Sequence, residues 1–133
     1  MIKLFIGGKG SGKTKTLIEM VNNATSSSKG NVVCIEKGDK LKLDITYKAR
    51  LIDTDAYAVT DAEALYGFIA GILASNSDIT DIFVDSALKI VGNDNDAFAA
   101  MLKKLEKITA DVNLVMTASI AVEECPAEIK AYA

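Results

Sequence analysis

The chain has 133 residues, enough for one hydrophobic core and too few for two, with half of them apolar and a quarter charged, which excludes a disordered chain. Its formal charge of −3 and pI of about 4.9 argue against a nucleic-acid partner. Two cysteines and no histidine make neither a disulfide framework nor a metal-ligand pattern, and no run approaches the roughly 18 apolar residues needed to cross a bilayer, so one cytoplasmic domain over residues 1–133 is expected.

Ile2-Lys3-Leu4-Phe5-Ile6 predicts a short strand, too short for a signal-peptide core, and Gly7, Gly8, Gly10 and Gly12 predict a turn directly after it. From Lys13 the apolar residues Leu17, Val21 and Ala24 recur at helical spacing, and Ser26 to Gly30 ends that helix. Val32-Val33-Cys34-Ile35 is continuously apolar, which predicts a strand buried on both faces with Glu36 at its carboxyl end. Between Leu41 and Leu51 the odd positions are mostly apolar, which predicts extended, half-exposed chain, with Ala49 to Ile52 the part that joins a sheet. Thr60-Asp61-Ala62-Glu63 reads as a capping box ahead of a helix that turns Leu65, Phe68, Ile69, Ile72 and Leu73 inward and ends near Ser75-Asn76. Ile79 to Asp85 predicts another buried strand, Asn93 to Asp96 the start of a third helix, and Val112 to Thr117 the last clear strand. Pro126 predicts the opening of a short terminal helix. Strands alternating with helices give an α/β fold of three layers, a mainly parallel sheet of four to five strands with helices on both faces.

Gly7-Gly8-Lys9-Gly10-Ser11-Gly12-Lys13-Thr14 fits G-x-x-x-x-G-K-[ST] and lies between a predicted strand and a predicted helix, the context this motif requires. Glycines let the backbone take positive φ and bring its N–H groups against a phosphate with no side chain in the way. The helix that follows aims its unpaired N–H groups and positive dipole end at the same anion. Lys13 is expected to reach the β- and γ-phosphates of a nucleoside triphosphate through charge-assisted bonds of roughly 1.5 to 3 kcal/mol each. Thr14 is expected to offer its hydroxyl to Mg²⁺, with Lys9 and Lys15 beside the same loop. A glycine-rich turn that binds nothing is the competing reading, but an ordinary strand-to-helix turn needs neither four glycines nor Lys13-Thr14. Asp85, ending an apolar strand downstream, is the natural second metal partner; the alternative is a helix cap for the next segment.

With these residues the chain resembles the P-loop NTPases: Gly7 to Thr14 looks like a Walker A loop and Ile82-Phe83-Val84-Asp85 like a Walker B strand. One strand and helix between the motifs and a further strand after them is similar to the RecA-like and AAA-like branch, in which an extra strand is inserted between the two motif strands. The resemblance implies ATP and Mg²⁺ as ligands. It implies a polar sensor at Thr117, with Ser119 as runner-up, and a strand-end glutamate, here Glu36, that orients the attacking water, with Asp53 as its substitute. Ser86 follows Asp85, where many members carry a water-activating glutamate. Lys37-Gly38-Asp39 has the K-x-D form of a guanine-specificity motif but follows the second strand rather than a late one, so ATP is preferred to GTP. The chain also resembles short clostridial P-loop proteins labelled twitching-motility ATPases, without the histidine boxes or separate N-terminal domain of true pilus-retraction ATPases.

The expected activity is Mg²⁺-dependent ATP hydrolysis. It is expected to be slow, because Arg50 is the only arginine and a stabilising arginine raises such rates by roughly 10³ to 10⁵. Two other readings stay open: a module that binds nucleotide and changes shape or partner without hydrolysing it, and a small phosphotransferase whose acceptor binds near Leu41 to Tyr57. A homo-oligomer or protein partner is a further expectation. The first strand, without the flanking strand usual in the family, would lie near a sheet edge, and open edges invite pairing. The basic stretch from Lys37 to Arg50 reads as a solvated face rather than a polyanion site.

Overall fold

The continuous apolar runs become the inner strands of a five-stranded sheet in the computed structural model, which describes residues 1–133. The strands are β1 (Ile2–Gly7), β2 (Asn31–Glu36), β3 (Arg50–Asp53), β4 (Ile79–Val84) and β5 (Asn113–Ser119). Their order across the sheet is β1-β5-β4-β2-β3 and every neighbouring pair is parallel. Each parallel pair needs a crossover, which helices supply except between β2 and β3, joined by the turns of residues 37–49. The helices are α1 (Lys13–Ser27), α2 (Ala62–Ser75), the single turn α3 (Ala87–Ile90), α4 (Asn95–Glu106) and the short α5 (Ala127–Lys130). No helix is long and apolar enough to cross a membrane.

Side chains alternate across each strand, and the two faces bury different clusters. Val33, Ile35, Ile82, Val84, Leu114 and Met116 pack with Leu65 and Ile69 of α2 and Phe98, Met101, Leu102 and Leu105 of α4. Val32, Cys34, Phe83 and Val115 pack on the other face with Leu17 and Val21 of α1. This is the three-layer α/β domain that the strand and helix spacing predicts.

Three features differ from expectation. The segment from 37 to 49 is a series of turns, not extended chain. Its apolar residues at odd positions also contain a spacing of four, and that subset is buried: Leu41, Ile45 and Ala49 lie beneath α1, while Leu43 and Tyr47 are 95% and 91% exposed. Asn22 of α1 pins these turns at two points, its amide nitrogen donating to the Asp44 carbonyl and its amide oxygen accepting from the Thr46 N–H. The cap of α2 is Asp61 rather than Thr60, with its carboxylate accepting from the Ala64 N–H. α3 is an additional turn that no apolar periodicity announces.

β1 lies at a sheet edge, as expected, but the chain covers part of that edge itself. The Leu4 N–H donates to the Tyr132 carbonyl at 2.9 Å, and Gly7 forms an antiparallel bridge with Ile120. At the opposite end of the strands, where β2 begins, Gly30 packs directly on the backbone, and a Cβ there would lie 2.0 Å from the Asp78 carbonyl oxygen. That carbonyl also accepts from the Asn31 N–H, so it cannot move without loosening the start of β2. Gly67, in contrast, is an exposed glycine of α2 with open space around it. Gly30→Ala is therefore expected to destabilise the fold by about 1 to 3 kcal/mol. Gly67→Ala is expected to stabilise it by about 0.5 to 1 kcal/mol, both read as shifts in the urea unfolding midpoint.

Candidate functional site

The carboxyl ends of β1, β4 and β5 and the start of α1 surround a cleft of about 730 Å³. One wall is the glycine-rich loop. Gly10 and Gly12 take φ of 81° and 84°, a left-handed backbone that side-chain-bearing residues disfavour. At Gly7, which leaves β1, a Cβ would come within 2.8 Å of the Ser11 hydroxyl, so the chain turns as tightly as it does only with glycine there. The loop delivers Lys9, Gly10, Gly12, Lys13, Thr14 and Lys15 to the cleft. The Lys13 ammonium curls over the loop, donating to the Gly8 carbonyl at 2.9 Å and the Ser11 hydroxyl at 3.2 Å.

α1 begins at Gly12 with no side-chain cap and no acidic residue in its first turn. The other two long helices are closed by the carboxylates of Asp61 and Asp94. The uncapped start leaves N–H groups and a partial positive charge facing the cleft.

Behind the cleft, in a smaller adjoining cavity, Asp85 joins three elements. The Thr14 hydroxyl lies 3.1 and 3.3 Å from its two carboxylate oxygens, and the Thr117 hydroxyl lies 2.7 Å from the first of them. Thr117 in turn accepts from the Ser86 N–H at 2.7 Å. Asp85 is 8% exposed, and its own N–H donates to the Ile35 carbonyl. Ser86 takes φ of 54°, a left-handed conformation for a residue with a side chain, so the backbone bends sharply as it leaves Asp85. The carboxylate of Asp85 and hydroxyl of Thr14 are hard oxygen donors, the kind that hold Mg²⁺ while water and phosphate take its remaining positions. No group of three or more His, Cys, Asp or Glu residues is placed to hold a metal, so the chain builds no all-protein cage.

Glu36 stands on the far side of Asp85, where a second cavity of about 150 Å³ is lined by Thr14, Glu36, Lys37, Lys40, Leu41, Asp85, Ser86 and Lys89. Its carboxylate accepts from the Lys40 N–H at 3.1 Å and from the Leu41 N–H at 3.1 Å, holding the turn after β2. Burial raises its pKa, outweighing the opposing effect of those two N–H groups, with the charges of Asp85 and Asp53 adding to the rise. Cys34, two residues earlier, is fully buried, and its thiol is pushed up to about 12 by burial first and then by the charges of Glu36 and Asp85.

The loop and carboxylate residues expected from the sequence thus fall into three groups. Lys9, Gly10, Gly12, Lys13, Thr14 and Lys15 face the cleft, Gly7, Gly8 and Ser11 shape the loop behind them, and Asp85 and Glu36 meet Thr14 at the second cavity. Thr117 does not reach the cleft: it is 1% exposed and its hydroxyl is engaged by Asp85 and Ser86, whereas Ser119, the runner-up, lines the cleft directly. Asp53 is away from both cavities, its carboxylate accepting from the N–H groups of Gly38 and Asp55. Arg50 lines a separate groove with Asn31, Asn76 and Ile79, at the starts of β2 and β4.

Lys40, Lys89, Ser86, Leu88 and Asn93 also line the cleft. No motif marks them; Lys40 lies within the basic stretch noted above, and Lys89 lies four residues beyond Asp85. That stretch is not one uniform face. Lys37 pairs with Asp55 at 2.7 Å, Lys40 faces the cleft, and Lys48 and Arg50 line the distant groove.

Two measurements test this geometry. Thr117→Val would leave the Ser86 N–H unpartnered and is expected to lower stability by about 1 to 3 kcal/mol in urea unfolding. A raised Glu36 pKa means that the charged carboxylate opposes folding, so the wild type loses stability as pH rises through that value, and the neutral amide of Glu36→Gln does not. The stability of Glu36→Gln relative to wild type is therefore expected to rise with pH through that window and to level off on the acid side. No family model matches this chain, and no curated protein matches it.

Proposed function

We propose that the protein is a Mg²⁺-dependent nucleoside triphosphatase of the P-loop kind, nearest in plan to the RecA-like branch, which binds ATP and hydrolyses it slowly in the cytoplasm. The observation that carries this reading is one cleft that holds an uncapped helix start, the Lys13 ammonium and Thr14, with Asp85 bonded to Thr14 directly behind it. A polyphosphate laid along the loop would meet main-chain N–H groups first and Lys13 next, and its outer end would face Thr14 and Asp85. The position of β5 between β1 and β4 supports the RecA-like plan, because it separates the loop-bearing strand from the aspartate-bearing strand.

In this reading Lys13 binds the outer phosphates and Thr14 and Asp85 would hold Mg²⁺, which supplies charge neutralisation to the phosphates when bound. Asp85 keeps its orientation through Thr117, so Thr117 is a positioning residue and Ser119 the one placed to touch the phosphate. Glu36 would accept a hydrogen bond from water in the smaller cavity and orient it toward the terminal phosphate. Its raised pKa makes it a better proton acceptor than an ordinary surface carboxylate.

A second reading, a module that binds nucleotide without turnover, is favoured by one observation: the Glu36 carboxylate already accepts from the N–H groups of Lys40 and Leu41. Phosphate release from purified protein with ATP and Mg²⁺ separates the two. Wild type is expected to release phosphate well above Lys13→Ala, which should lose nucleotide binding. Glu36→Gln should keep binding and lose at least tenfold in rate. Tight binding with release no faster than in Lys13→Ala would establish the binding module instead.

A further inference from the structure

Two of the lysines at the cleft belong neither to the glycine-rich loop nor to α1. Lys40 comes from the turn after β2 and Lys89 from α3, so only the tertiary fold brings them to Lys13. Both line the main cleft and the smaller cavity, and the only other residues common to the two are Thr14 and Ser86. They therefore stand at the junction between the phosphate cleft and the space holding Glu36 and Asp85.

Neither is in an ion pair, although Glu36 and Asp85 line the smaller cavity with them. The one ion pair in the structure joins Lys37 to Asp55. Five lysines, and no aspartate or glutamate, line the main cleft of a chain whose net charge is −3. Gathering ammonium groups without a counter-charge works against folding, and the arrangement becomes favourable when an anion enters. The main-chain N–H groups and Lys9 are at the loop end of the cleft, whereas Lys40 and Lys89 are at the Thr14–Asp85 end, where a bound triphosphate would terminate. Arg50 cannot serve that end from within the same chain, because it lines the groove at the starts of β2 and β4.

We propose that Lys40 and Lys89 form a two-pronged clamp on the terminal phosphate, distinguishing a nucleoside triphosphate from a diphosphate and replacing, within one chain, the arginine that such sites otherwise recruit. This rests on the reading of the cleft as a nucleotide site. An ammonium group binds phosphate as a point charge and does not need the planar fork of an arginine, so two lysines from separate elements can share one terminal phosphate.

The test is calorimetric titration of ATP and ADP, each with Mg²⁺, into wild type, Lys40→Ala, Lys89→Ala, Lys89→Arg and Lys13→Ala. Lys103→Ala serves as a control that removes the same charge from the last turn of α4, away from both cavities. Lys40→Ala and Lys89→Ala are each expected to weaken ATP binding tenfold or more while ADP weakens less than twofold. Lys89→Arg should recover most of the loss, Lys103→Ala should bind both nucleotides as wild type does, and Lys13→Ala should bind neither. Equal losses for ATP and ADP would reduce the lysines to a general positive field and overturn the clamp, as would ATP binding within twofold of wild type in both variants. In either case the nucleotide site itself would stand. Wild-type protein that binds neither nucleotide would remove the site and the clamp together. Thermal unfolding midpoints at or above the wild-type value in Lys40→Ala and Lys89→Ala would confirm that an affinity loss does not come from a damaged fold.

Discussion

The Asp85 carboxylate is the point at which the architecture becomes a site. It accepts from Thr14 at the start of α1 and from Thr117 in β5, and its backbone N–H reaches Ile35 in β2. One residue thus registers the helix behind the glycine loop against β2, β4 and β5. A buried carboxylate is tolerated only with such partners, and a fully satisfied polar network is geometrically exacting. The sharp bend at Ser86 belongs to the same arrangement, since the N–H that Thr117 accepts is the one the left-handed turn presents.

Charge is divided within the site. The main cleft gathers ammonium groups, while the carboxylates of Glu36 and Asp85 sit just behind it. Cationic and anionic lobes on either side of Thr14 suit a ligand that is itself a polyanion with a metal at one end. α2 and α4 begin with acidic caps and α1 does not, so the first-turn N–H groups of α1 face the cleft with no competing carboxylate.

Much of this was legible in the sequence, and the exceptions have physical causes. β2 and β4 were plain because residues buried on both faces leave no polar alternation, and α1 and α4 because their apolar residues recur at helical spacing. The loop from Gly7 to Thr14 was plain because few other turns need that many small residues. Residues 41–49 depart from the extended reading because one pattern satisfies two periods, and packing beneath α1 selects the spacing of four. Thr117 and Ser119 were not separable, since residues two apart on a strand share a face and only the depth of the cleft distinguishes them. Lys40 and Lys89 were invisible as a pair, because 48 residues of chain and a strand crossing lie between them.

The cysteine at the centre of β2 gives the molecule a built-in clock for opening of one layer. Its thiol is fully covered by α1 and the turns of residues 41–49, and held near pKa 12 by burial and then by the two carboxylates, so alkylating reagents meet no thiolate while that layer is seated on the sheet. Labelling at that sulfur consequently counts excursions in which α1 or those turns lift from the sheet. Any ligand that binds only the closed layer must slow the labelling as its occupancy rises, so the rate reports binding without a dye or an engineered probe.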